Sequence, residues 1–108
     1  MYKKGTVILV PFPFTDLSGN KVRPAVIVSD GKIGTDVVVL FITSQPKLKA
    51  KHTVSLKADE QSGIKTDSKI ICSKMATLEV KIVLGELGQL PSAVKKKIDV
   101  ELKKVLGL

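Results

Sequence analysis

Short runs of β-branched and aliphatic residues recur along the chain, separated by Gly, Pro, Asn and Asp. Residues 6–10 (TVILV) form the first run, closed by Pro11 and Pro13, which cannot donate to a sheet ladder. Residues 22–29 (VRPAVIVS) and 36–44 (DVVVLFITS) predict two further strands. The second of these is apolar at every central position, the pattern of a strand buried on both faces. An alternating stretch at 52–56 and the runs at 68–78 and 82–87 complete the set. Residues 14–21, 30–35, 45–51 and 57–67 lie between them and carry turn formers and lysines, so they read as loops.

From Pro91 the period changes. Val94, Ile98, Leu102, Val105 and Leu106 follow helical spacing, while Lys95, Lys96, Lys97, Lys103 and Lys104 fall mostly elsewhere and read as a solvated face. Pro91 suits a first helical turn and Gly107 a helix stop. Five to seven short strands followed by one helix predict an α+β domain whose strands curl into a small barrel. With 108 residues and no linker, repeat or low-complexity tract, residues 1–108 read as one domain.

Composition narrows the setting. A chain that is 44% hydrophobic and 26% charged has the balance of a globular domain rather than a disordered one. Its single Cys excludes an internal disulfide and a multi-Cys zinc site, and it fits a reducing compartment. No apolar run approaches the ~20 residues that a membrane span needs, and the N-terminus lacks the pattern of a signal peptide. A cytoplasmic location without a membrane partner is the expectation. Charge adds more: 18 Lys and Arg against ten Asp and Glu give a formal +8, which attracts polyanions such as nucleic acid or an acidic protein segment. Arg23 is the only Arg, so any task needing a planar two-pronged guanidinium falls to it.

Familiar catalytic sets are nearly absent. His52 is the only His, which excludes a paired-His ribonuclease mechanism within one subunit. Cys72 lies mid-strand among apolar residues and reads as an inert buried thiol. No glycine-rich phosphate loop occurs, and no His, Cys or carboxylate grouping has metal-ligand spacing, so neither a metal nor a cofactor is expected. Two segments place polar groups beside apolar strands. Pro24 forces Arg23 toward an extended backbone at a strand entrance, and in Phe41-Ile42-Thr43-Ser44-Gln45 hydroxyls end the most apolar strand just before a basic loop.

Taken in order, these segments resemble the MazF/PemK family of toxin endoribonucleases. The residues concerned are Gly5-Thr6-Val7-Ile8-Leu9-Val10-Pro11-Phe12, then Lys21-Val22-Arg23-Pro24-Ala25-Val26-Ile27-Val28-Ser29, then Ile42-Thr43-Ser44. Gly63-Ile64-Lys65-Thr66-Asp67-Ser68-Lys69-Ile70, Ala76-Thr77-Leu78 and the terminal helix follow, so the likeness covers nearly the whole chain. The resemblance implies an SH3-like barrel, a homodimer and metal-independent cleavage of single-stranded RNA. It also implies an acidic antitoxin whose disordered segment occupies the RNA groove. The family's catalytic Arg and Thr fall on Arg23 and Thr43. Lys74 and Ala76 stand where many members carry Gln and a basic residue that contact RNA, so the family's cleavage preferences do not transfer.

The implied reaction is transesterification, in which the ribose 2′-OH attacks the adjacent phosphorus. Around the pair, Lys21, Ser44 and Gln45 are candidate RNA contacts, as are Lys47 and Lys49 in the basic loop and Lys74 on the fifth strand. Phe14 is the candidate stacking residue. The competing reading is a non-catalytic nucleic-acid- or gyrase-binding module on the same barrel, which would need neither Arg23 nor Thr43.

Overall fold

The structure is a computed structural model that describes residues 2–11, 22–45 and 49–108. Six strands form one antiparallel sheet: β1 (Thr6–Pro11), β2 (Val22–Ile27), β3 (Asp36–Thr43), β4 (Thr53–Leu56), β5 (Ser68–Glu79) and β6 (Gly85–Gln89). A single turn of 3₁₀ helix, Val80–Ile82, precedes β6, and helix α1 (Ser92–Leu106) closes the described chain. The strand order is β4-β5-β3-β2-β1-β6, so the first strand pairs with the last. The curled sheet and terminal helix match the α+β barrel expected from the pattern. Boundaries differ at two places: the strand expected at 22–29 ends at Ile27, and the run expected at 82–87 is a strand only from Gly85. Val80, Ile82 and Val83 turn inward against the sheet instead of pairing along it.

Alternation along the strands separates two apolar clusters. Val7, Val26, Leu40, Ile42, Val54, Leu56, Ile70 and Cys72 face one way, where Leu90 and Ile98 cover them. Ile8, Val10, Ala25, Ile27, Val37, Val39 and Phe41 face the other way, packed by Tyr2, Val80, Ile82 and Val83. The centre of β3 is therefore buried on both faces, as its unbroken apolar run predicts. Helix α1 presents Val94, Ile98, Leu102 and Val105 to the first cluster at helical spacing. Leu106 lies outside this contact and is exposed. Gly107 ends the helix at φ 71°, and its N–H is bonded to the Lys103 carbonyl, a left-handed cap that glycine adopts without steric cost. Truncating Ile98 to Ala would cost about 2–5 kcal/mol, because a site enclosed on all sides cannot collapse onto the void.

β5 holds the curvature. Its first residues pair with β4 (Ile70↔Val54, Lys69↔Ser55) and with the end of β3 (Ile70↔Ile42, Lys69↔Thr43). Its later residues pair with the start of β3, from Met75↔Leu40 to Glu79↔Asp36. Phe41 alone spans the interval in β3 that residues 71–74 span in β5, so the longer strand must bend there. The polar stretch at 57–67 is a docked turn rather than a free loop. Ile64 and Ser62 are buried, and Gln61 accepts the Gln89 N–H at 2.8 Å. Gly63 sits at φ +77° against the Leu87 carbonyl, where any Cβ would collide with backbone.

Candidate functional site

The register brings together residues that are distant in sequence. Val10 pairs with Arg23 across β1 and β2, and Ala25 with Phe41 across β2 and β3. Carrying the second register two residues outward sets Arg23 across from Thr43, since both move along antiparallel strands by the same step. The recorded ladder stops at Ala25, next to Pro24, which has no N–H with which to extend it. Thr43 in turn pairs with Lys69, and Lys69 with Ser55. One face at the sheet's rim thus carries a polar row: Arg23, Thr43, Lys69 and Ser55. The same face holds Ala25, Ile27, Val39 and Phe41 further in, so the row lies where the second apolar cluster ends.

The end of β3 folds over at this point. The Gln45 N–H donates to Thr43 Oγ1 at 3.2 Å, a short turn that fixes the threonine side chain and leaves its O–H proton for another acceptor. Thr43, Ser44 and Gln45 border a groove of about 280 Å³ whose other walls are Ser55, Leu56, Lys57, Asp67, Ser68 and Lys69. Alternation predicts Ser44 on the face opposite Thr43. β3 ends at Thr43, however, and beyond that point the two side chains border the same groove. Asp67, the groove's carboxylate, accepts the Ala58 N–H at 2.9 Å, and the Ser68 hydroxyl donates to the Thr66 carbonyl at 2.7 Å. Among the described residues, no carboxylate forms an ion pair with Lys57 or Lys69.

The other expected contacts divide into three groups. Lys74 shares its side of β5 with Ala76 and Leu78, hence the side of the polar row, and is exposed. Lys49 is exposed beyond the end of β3. Phe14, Lys21 and Lys47 lie outside the described residues. His52, Glu101 and Cys72 serve the scaffold. His52 Nδ1 lies 3.1 Å from Glu101 Oε1 on the helix, a contact that holds the Glu101 carboxyl below the usual carboxylate range. Burial and the Glu101 charge push the Cys72 thiol up to about 11, which suits an inert core residue. Among the described residues, no three His, Cys, Asp or Glu side chains converge in a way that would hold a metal ion.

Sequence reasoning did not single out Lys69 and Ser55, which the register sets in the same row as Thr43. Lys69 is visible as the one charge at the head of the apolar run Ile70-Ile71-Cys72. Its position beside Thr43 depends on the bend in β5, which changes the pairing between the two ends of the strand and leaves no local signature.

In chemical terms, a guanidinium, a hydroxyl, an ammonium and a second hydroxyl in a row beside an open groove suit a ligand with repeated anionic oxygens. Among curated proteins, no sequence matches the chain. Among solved structures, a mycobacterial endoribonuclease in complex with its cognate antitoxin is 23% identical, covering 98% of this chain and 95% of its own at a TM-score of 0.77. MazF from Deinococcus radiodurans is 19% identical, with 98% and 96% covered and a TM-score of 0.76. A MazE–MazF complex from the same organism gives 18%, 98% and 95% at 0.74. At these identities the likeness establishes the fold. The family model of the PemK-like, MazF-like toxins of type II toxin–antitoxin systems matches residues 3–106, and on that match this chain belongs to that family.

Proposed function

We propose that the chain is an endoribonuclease that cleaves single-stranded RNA at the polar row, without a metal, by 2′-OH transesterification. The observation that carries this reading is the β2–β3 register, which carried two residues past Ala25↔Phe41 sets Arg23 across from Thr43 at the edge of a groove open to solvent. Family membership and the endoribonuclease neighbours support it. The 2′-oxygen forms a bond to phosphorus as the bond from phosphorus to the 5′-oxygen breaks. One proton is lost from the 2′-OH and one gained by the leaving oxygen, giving a 2′,3′-cyclic phosphate and a 5′-OH end. Negative charge gathers on the non-bridging oxygens in between. Arg23 meets that charge with two parallel N–H donors of its guanidinium. Thr43 holds a phosphate oxygen or the attacking hydroxyl with its free O–H proton.

The basic groove fits a second ligand class, the acidic, initially disordered segment of an antitoxin. Such a chain loses entropy on binding but can wrap a long surface, which suits reversible silencing. Neighbouring structures with bound antitoxin support this partner. Pairing of two copies would deepen the shallow groove of one. The decisive experiment incubates the protein with a long single-stranded RNA in EDTA and maps the new ends. Cyclic phosphate and 5′-OH termini are expected; RNA bound but uncut would reduce the chain to a binding module.

A further inference from the structure

We infer that Lys69, with Ser55 beside it, forms a second phosphate subsite, which grips the phosphate next to the one being cleaved. This rests on the proposed RNA cleavage at Arg23 and Thr43 and extends it along the strand of RNA. Lys69 pairs directly with both Thr43 and Ser55, so its side chain leaves the sheet between two hydroxyls. It lines the open groove, and no carboxylate among the described residues neutralises it. Thr43 separates it from Arg23 by two strand spacings, about 10 Å between backbones. Long side chains reaching from those two points serve two phosphates of one strand rather than one phosphate twice. The division of labour follows from the cations: Arg23 offers a fixed fork to the reacting group, and Lys69 a mobile point charge that only needs proximity.

An RNA crossing the row would run from β2 toward β4, past Lys57 on the groove's far wall. Asp67 is the groove's opposing charge. Its bond to the Ala58 N–H keeps it at the turn, where it weakens the subsite without blocking it.

The test uses an uncleavable 2′-O-methyl oligonucleotide for affinity and the matching RNA for kinetics. Lys69→Gln is expected to weaken oligonucleotide binding about tenfold at low salt, the worth of one charged hydrogen bond. It should also reduce the slope of log affinity against log salt by about 0.7, one phosphate contact on a single strand. Cleavage should lose through KM rather than kcat, whereas Arg23→Lys should lose through kcat. Ser55→Asp, an exposed change that sets a carboxylate opposite Lys69, is expected to reproduce the loss should Lys69→Gln fail to fold. Lys69→Arg should keep the salt slope, and Asp67→Asn should tighten binding. A neutral methylphosphonate at one non-scissile position should weaken binding to the wild type and leave Lys69→Gln unchanged. Unaltered affinity and salt slope in folded Lys69→Gln would overturn the subsite, even with cleavage at Arg23 intact. A wild type that binds but never cuts would overturn the proposed reaction, and the binding arm would still decide the role of Lys69.

Discussion

The two faces of the sheet are built by the same strands and end differently. On one, Leu40, Ile42, Val54 and Ile70 meet Leu90 and Ile98, and the apolar surface is closed by a helix. On the other, the apolar rows reach Ala25 and Phe41, and the next row outward is Arg23, Thr43, Lys69 and Ser55. Period-two alternation lets one β3 strand supply both, with Ile42 facing the helix side and Thr43 the groove. The proposed chemistry is thereby confined to the rim of one face, away from the helix-covered core, so changes to the rim and to that core should give separable losses.

The largest expected effect tests the rim. Arg23→Lys keeps the charge but loses the fork, and cleavage should fall by about 10²–10³ with the thermal midpoint unchanged. A large drop in the midpoint instead would make Arg23 part of the scaffold and erase the contrast. The helix face should answer in the opposite manner. Leu40 is fully buried, and Leu40→Ala should lower unfolding free energy by about 3 kcal/mol while each folded molecule cuts at the wild-type rate. Denaturant melts measure the first quantity. Labelling of Cys72, slow in the folded chain and fast once unfolded, reports the fraction folded.

A smaller effect sharpens the position of the site. Thr43→Ala should slow cleavage about tenfold or more through loss of a hydrogen bond to a charged group. Ser44→Ala should act less, since Thr43 alone has a side chain fixed by the Gln45 N–H. Reversed effects would move the catalytic hydroxyl by one residue. The smallest effect belongs to the helix side. Glu101 is held below the ordinary carboxylate range by His52, so its charge stabilises the fold at neutral pH. That contribution disappears as pH falls through the carboxylate range, where the folded chain must finally take up the proton. The midpoint difference between wild type and Glu101→Gln should therefore shrink on acidification, with cleavage chemistry untouched.

Much of this arrangement was legible in the sequence because it is periodic. Thr6, Val22, Asp36 and Ser68 begin strands where the apolar runs begin, and Ile98 lies on the predicted face of the helix. Arg23 and Thr43 were singled out by motif likeness, not periodicity, since nothing local distinguishes either from an ordinary strand-end residue. Lys69 stayed hidden because its partner is set by a bend spanning residues 71–74. The docked turn at 57–67 was hidden for a related reason: Ile64 is a lone apolar residue that joins the helix-side cluster, and the turn carrying it is held to β6, some twenty positions later, by the Gln89 N–H on the Gln61 carbonyl. Local patterns specify elements, and non-local register brings their side chains together.

The pairing of β1 with β6, from Thr6↔Gln89 to Leu9↔Gly85, also governs when the molecule comes into being during synthesis. A growing chain makes Arg23 and Thr43 early, yet the outer edge of β1 stays bare until residues 85–89 exist. The cluster around Val7 and Val26 likewise waits for Leu90 and Ile98. Contacts this distant in sequence form late, after the entropy of a long loop has been overcome. For a member of a toxin family the timing matters: a chain grown past Lys69 but not yet to Gly85 carries Arg23, Thr43, Ser55 and Lys69 on a sheet whose first strand still lacks its outer partner. The surface proposed to cut RNA, and with it the surface that an antitoxin would recognise, is in place only once β6 and α1 have been made.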